Sequence, residues 1–237
     1  MRACIFGASG GIGAALVAQL AAREDVAEVF ALSRRPTAGG GKVVPLAFDL
    51  TDEASIASAA ARMGEGGGID LAIVATGILT TPGGKGPEKG WAQVDGAVMA
   101  EVFALNTIGP ALIAKHVLPL LPRAERSVFA VLSARVGSIG DNRLGGWHSY
   151  RASKAALNML VRNWAIELVR VRPGAIAVAL HPGTVDTDLS QPFQRGVPQD
   201  RLFTPERSAG HLLDVIDGLT QKDSGGLFAR DGSRIDY

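Results

Sequence analysis

Cysteine is nearly absent: Cys4 is the single one in 237 residues, so no internal disulfide can brace the chain. Its place in an apolar run at the start of the chain suits a buried, inert thiol better than a nucleophile. Charge of one sign is scarce too, since 24 Lys and Arg against 23 Asp and Glu leave a formal net charge of +1. That balance offers no electrostatic footprint for nucleic acid or for an anionic membrane surface. No uninterrupted apolar run approaches the roughly 18 residues of a membrane span. Met1 leads directly into Arg2-Ala3-Cys4-Ile5-Phe6, with no charged region followed by an apolar leader and a cleavage site. The expectation is a soluble, cytoplasmic protein with neither nucleic acid nor membrane as partner. Hydrophobic residues at 47% and charged ones at 20% are enough for one full core.

Short apolar runs alternate with longer helical patterns up to about residue 180, the rhythm of a parallel sheet covered by helices on both faces. Strands are expected over 2–6, 27–32, 43–47, 70–75, 127–132 and 175–180, with a last one near 226–230. Helices are expected near 11–23, 53–62, 95–121, 148–170 and 205–219. Together they make one doubly wound α/β domain spanning 1–237, with about seven strands. The glycine-rich segments 37–42, 64–68 and 83–90 are connections between elements and not domain linkers. Segment 186–204 carries Pro192, Gly196 and Pro198 and reads as a long loop able to close over a substrate.

The most informative pair is Tyr150 and Lys154 in Ser149-Tyr150-Arg151-Ala152-Ser153-Lys154. Four residues apart on a helix, they share one face. A tyrosine that works as an acid or base near neutral pH needs its pKa lowered by about three units, and a neighbouring cation acts in that direction. Taken alone, such a pair is more often a surface lysine beside a half-buried tyrosine.

Other motifs change that balance. The turn after the first strand reads Gly7-Ala8-Ser9-Gly10-Gly11-Ile12-Gly13. Glycines there let backbone N–H groups approach a pyrophosphate at the positive end of a helix, and the strand-turn-helix setting is the one a dinucleotide site requires. The second strand ends in Ser33-Arg34-Arg35, where an NAD site places an acid against the ribose 2′-hydroxyl. Two guanidiniums and a hydroxyl suit a 2′-phosphate, which favours NADP(H) over NAD(H).

With these residues in hand the chain resembles the short-chain dehydrogenase/reductase family along nearly its whole length, and its fold is then expected to be of the Rossmann type. The resemblance implies adenine contact at Asp49-Leu50. It also implies a cofactor turn at Val74-Ala75-Thr76-Gly77, which keeps the family's glycine and lacks its two amides. Asn106 matches the asparagine whose backbone carbonyl joins a proton relay at a helix kink, and Pro110 supports a distorted helix there. Pro182, Gly183, Val185 and Thr187 match the turn under the nicotinamide, with Thr187 reaching its carboxamide or the phosphates. His181 beside that turn has no family role and is expected to be structural.

The family's catalytic serine is the departure. In Ser133-Ala134-Arg135-Val136-Gly137-Ser138, alignment on the strand and on Gly137 puts its position on Ala134. Counting back about a dozen residues from Tyr150 points instead to Ser138. Ser133 is the first candidate to supply the hydroxyl and Ser138 the second. The segment 140–147 looks like an insertion, and with the run after it resembles the C-factor-like and sniffer-like carbonyl reductase branch. The implied function is NADP(H)-dependent interconversion of a carbonyl and an alcohol on a small molecule, with catalytic Asn106, Ser133, Tyr150 and Lys154; Tyr150 and Lys154 also belong to the implied cofactor site, Lys154 on the cofactor ribose. The rival expectation is a regulatory or signalling protein that binds the cofactor with vestigial catalysis. The resemblance implies a homodimer or homotetramer built on the helices over 95–121 and 148–170. Val102, Leu105, Leu112, Leu157, Leu160 and Trp164 form an apolar face there that suits either the sheet or another subunit.

Overall fold

Strands that are apolar on both sides must be covered on both sides, and the runs Arg2–Phe6 (β1), Glu28–Ser33 (β2), Leu71–Val74 (β4), Ser127–Leu132 (β5) and Ala175–His181 (β6) are. The computed structural model describes residues 1–36 and 38–237, so Thr37, the first residue of the 37–42 connection, lies outside the described residues. Val43–Ala47 (β3) closes one edge of the sheet, which runs β10-β9-β6-β5-β4-β1-β2-β3. Leu227–Ala229 (β9) pairs parallel to β6, and Arg234–Ile235 (β10) runs antiparallel to β9. The sheet thus has eight strands where about seven were expected. The extra one is two residues long, too short to leave a pattern, and is turned back at Asp231-Gly232 by the positive φ of Gly232.

Helices Glu53–Gly64 (α2), Gly109–Val117 (α4) and His148–Val171 (α5) cover one face over Phe6, Phe129 and Val131. Gly11–Ala22 (α1) and Pro205–Gly218 (α6) cover the other over Ile5, Val178 and Leu180. The long helix expected over 95–121 is built in pieces: Gly96–Phe103 (α3), a π-helical stretch over Ala104–Ile108, then α4 and a last 3-10 turn over Leu118–Leu120. By length and composition Gly96–Leu120 would suffice to cross a membrane. Here Ile113, Ala114 and Val117 spend that apolar character on the sheet. The apolar face named from the sequence also meets the sheet, with Leu157 and Trp164 in the buried cluster and Leu105, Leu112 and Leu160 packed against it. Segment 186–204 holds two 3-10 turns, and its end, Leu202–Phe203 (β8), pairs with Thr184–Val185 (β7).

The chain leaves β1 toward β2 and β3 on one side and continues from β4 to β5 and β6 on the other. At that reversal the turns after neighbouring strands diverge and open a crevice beyond their carboxyl ends.

Candidate active site

The glycine turn sits at this crevice, and two of its glycines are required by space. A Cβ on Gly13 would lie 2.1 Å from the Gly7 carbonyl oxygen, and one on Gly11 would lie 2.8 Å from Thr187 Cγ2. The first contact lets α1 start close under β1, and the second brings the turn after β6 beside the glycine loop. Gly7 itself has φ +91°. Helix α1 opens at Gly11 with no side-chain cap and no acidic residue in its first turn, so its positive end is free for an anion. Ser9 and Gly10 are exposed and Ile12 is half-buried.

Around this loop stand the other candidates. Arg34 and Arg35 are exposed and form no ion pair among the described residues. Ser33 is buried, and its hydroxyl donates to the Arg35 carbonyl at 2.8 Å, shaping the turn that presents both guanidiniums. Asp49 accepts the N–H and the hydroxyl of Thr51 at 2.8 and 2.7 Å; those bonds, with Arg34 nearby, hold its carboxyl below the usual range. Leu50 turns inward and covers Gly109, where a Cβ would come 2.3 Å from its Cγ. Ala75 donates its N–H to Phe6 at 2.8 Å, which ties the turn after β4 to β1. Thr76 Oγ1 is buried without a hydrogen-bond partner.

Asn106 ties the turn after β4 to α5. Its Oδ1 accepts the Ile78 N–H at 2.8 Å, and its Nδ2 donates to the Ile78 carbonyl at 2.9 Å and to Ser153 Oγ at 3.2 Å. The side chain is fully buried in the π-helical stretch, a distortion that recurs at functional sites. A Cβ on Gly77 would fall 3.1 Å from Asn106 Oδ1 and 3.4 Å from Lys154 Nζ, so the glycine is what lets the turn reach both.

Tyr150 and Lys154 lie on α5 as the spacing requires, with Nζ 5.9 Å from the centre of the phenol ring. Lys154 is buried, and its Nζ donates to the Leu132 carbonyl at 2.8 Å. The expected lowering of the phenol by its cation is not what the protein alone produces. Burial pushes Tyr150 up to about 12 and Lys154 down to about 8.

Ser133 lines the same cavity as Tyr150, but both candidate serines have their hydroxyls bonded within the protein. Ser133 Oγ donates to Asn158 Oδ1 at 2.7 Å, and Ser138 Oγ accepts the Asp141 N–H at 3.0 Å. Ala134 is on the pocket wall and has no donor to offer. Pro182 accepts the Ser208 hydroxyl at 3.1 Å, Gly183 has φ +82°, Val185 is buried in β7, and Thr187 stands over Gly11. His181 is held neutral, pushed down to about 4 by burial with Arg135 and Arg230 adding to it.

Tyr150, Lys154, Thr76, Gly77, Pro182 and Thr187 share one cavity of about 320 Å³. Residues that no motif announced complete it: Leu79, Val136, Trp147, Leu189, Phe193 and Val197. Trp147 has φ 51°, a left-handed backbone that costs a non-glycine residue on the order of 1 kcal/mol. It places its ring 6.2 Å from Tyr150 and 5.4 Å from Phe193. Segment 186–204 thus reaches the site through Phe193. A wider groove of about 610 Å³, at Phe203 and Arg230, has neither Tyr150 nor Lys154 in its lining.

The profile of the family described as short chain dehydrogenase matches residues 1–197. The 1-hydroxy-2-glutathionyl-2-methyl-3-butene dehydrogenase of Rhodococcus sp. (strain AD45) is 33% identical over 235 residues, covering 98% of each chain. The C-signal of Myxococcus xanthus is 39% identical over 146 residues, 61% of this chain and 82% of its own. Among solved structures, the NADPH-bound carbonyl reductase from chicken fatty liver superposes with a TM-score of 0.85 at 31% identity, covering 100% of this chain and 94% of that one. The glycine loop, the tyrosine and lysine of α5 and these likenesses along the chain agree: it belongs to the short-chain dehydrogenase/reductase family and is an oxidoreductase of that family.

Proposed function

We propose that the protein is an NADP(H)-dependent oxidoreductase that interconverts a carbonyl and an alcohol on a small, largely apolar molecule. The observation that carries this reading is the meeting of Tyr150 and Lys154 with the turns at 75–77 and 182–187 on the wall of one cavity. The residues present suit a dinucleotide: the glycine turn leaves its backbone open, α1 points an uncapped N-terminus at it, and Thr76 Oγ1 lacks a partner. Gly7, Ser9, Gly10, Gly11, Ile12 and Gly13 would hold the pyrophosphate, Asp49 and Leu50 the adenine side, and Ala75, Thr76 and Gly77 the near ribose. Pro182, Gly183, Val185 and Thr187 would back the nicotinamide. Arg34 and Arg35 would pair with a 2′-phosphate, the reason to prefer NADP(H), and the NADPH carried by the chicken carbonyl reductase supports it.

When bound, the nicotinamide supplies or accepts the hydride. The phenol of Tyr150 keeps its proton at neutral pH and so begins as the acid, giving that proton to the substrate oxygen. Lys154 stabilises the phenolate left behind, and the backbone carbonyl of Asn106, in the π-helical stretch, joins the path that returns a proton from solvent. Ala134 offers no second donor and Ser133 gives its hydroxyl to Asn158, so Tyr150 would be the hydroxyl that meets the substrate oxygen. Trp147 and Phe193 exclude water and select for apolar bulk. The proposed setting is the cytoplasm, as a homodimer or homotetramer.

A second reading, a cofactor-binding signalling protein with vestigial catalysis, is favoured by Ala134 and by the likeness to the C-signal. NADPH oxidation against a panel of aldehydes, ketones and quinones, beside direct NADPH binding, separates the two. Turnover that Tyr150→Phe abolishes while NADPH still binds supports the reductase. Turnover retained by Tyr150→Phe overturns the proton-donor role, and tight binding without turnover on any carbonyl supports the signalling reading.

A further inference from the structure

Outside the constellation already described, one buried carboxylate lies against it. Glu88 belongs to the connection between β4 and α3, is only 5% exposed, and forms no salt bridge among the described residues. It accepts the Ser149 N–H at 3.1 Å and also the Ser149 hydroxyl, while its own carbonyl accepts the Trp147 N–H at 2.5 Å. These bonds fix the entry into α5 immediately before Tyr150, and they hold Trp147 in its left-handed conformation. Glu88 and Tyr150 also line the same small cavity, with Leu79, Val98 and Val102. Burial acts to raise the carboxyl, but the bonds from Ser149, the backbone and the charge of His148 hold it below the usual range, so it is ionised at neutral pH.

An anion at this place acts on Tyr150 through the helix: bound to the Ser149 N–H, it offsets the positive end of a 24-residue helix whose first turn carries Tyr150. That disfavours phenolate, in the same direction as burial. The other titratable or charged groups around Tyr150 are His148, Arg151 and Lys154 on its own helix, Lys85 on the wall of the small cavity, and Arg135 across the pocket; His181 there is neutral. Glu88 is the one anion among them.

We propose that Glu88 is a positioning residue for Tyr150: anchored on Ser149, its carboxylate fixes the first turn of α5 and adds to burial in favouring the proton-bearing form of the phenol. This rests on Tyr150 being the proton donor of the proposed reaction, but its test does not need turnover. The chain has two tyrosines, Tyr150 and Tyr237, so in a Tyr237→Phe background the phenolate absorbance titrates Tyr150 alone.

In that background Glu88→Gln keeps an acceptor for the Ser149 N–H and removes the charge. The titration midpoint is expected to fall by about half a unit. Ser149→Ala keeps the charge and removes the hydroxyl bond, and is expected to leave the midpoint in place. Should Glu88→Gln not fold, Glu88→Asp draws the charge back by one methylene and is expected to give a smaller fall. An unchanged or raised midpoint in the Glu88 variants, or an equal fall in Ser149→Ala, overturns the proposal. Turnover retained by Tyr150→Phe would overturn the proton-donor reading instead, so the two failures are told apart.

Discussion

At Ser133 the hydroxyl that sequence spacing offers to a substrate is already given to Asn158, a buried side chain on α5. Moving it would strand a polar group in the core, a cost of about 1–3 kcal/mol. That is a physical reason for the site to work from Tyr150 without it. Arg34 and Arg35 are the opposite case. Both guanidiniums are exposed at the end of β2 and form no ion pair among the described residues, although Asp49 lies close enough to feel the charge of Arg34. Replacing both with Ala is expected to raise the Kd for NADPH about tenfold or more, the scale of a lost charged hydrogen bond, and to leave NADH within about twofold. Equal losses for both cofactors, measured by titration calorimetry, would remove the 2′-phosphate assignment. Identity was legible at this scale for Gly7, Gly13, Tyr150 and Lys154, because their chemistry depends on local backbone and on helical spacing. It was not legible for Glu88, which meets Ser149 61 residues away, or for Trp147, whose N–H is held by the same distant segment.

Among the elements, the break in the helix over 95–121 could be foreseen from Pro110, since proline withdraws an N–H from the helical ladder. Its form, a π-helical stretch around Asn106, depends on Ser153 and Ile78 taking up the asparagine amide. Helix α5 decides a question its sequence leaves open. Leu157, Val161 and Trp164 turn to the sheet, leaving Met159, Ile166 and Val169 between 45% and 61% exposed on the other side. Ile108 on the neighbouring π-helical stretch is 53% exposed. An apolar stripe of this kind on two adjacent helices suits burial against a second copy. Met159→Lys with Ile166→Lys is therefore expected to lower the mass seen by light scattering to that of the monomer, with the fold retained by circular dichroism. Unchanged mass would remove this face as the interface of the proposed homodimer or homotetramer.

For the whole molecule, buried titratable groups tie stability to pH. Lys154 has its pKa lowered from 10.5 to about 8, so between those values the unfolded chain holds more protons than the folded one. Stability should then rise with pH from about 8, by at most about 1.4 kcal/mol per unit from this group. Tyr150, raised from 10.0 to about 12, acts in the other direction above pH 10, where the unfolded phenol loses its proton first. His181, lowered from 6.5 to about 4, contributes stability above 6.5 that is lost as pH falls toward 4. Urea unfolding of Lys154→Met is expected to show a smaller gain between pH 8 and 10 than the unaltered protein. An identical slope would mean that Lys154 is not the group responsible.

The sequence by itself determined the order of strands and helices, the dinucleotide turn and the tyrosine-lysine pair. Each of these follows from spacing along a few turns of chain, where periodicity and glycine geometry act directly. It also placed the site at one end of the sheet, because the turns that carry it all follow strands. Tertiary structure alone decided that Ser133 faces Asn158, that Trp147 and Phe193 close the pocket, and that Glu88 meets the start of α5. Those outcomes depend on which distant segments the sheet order brings together and on how burial shifts a proton, and neither is encoded in a local run of residues.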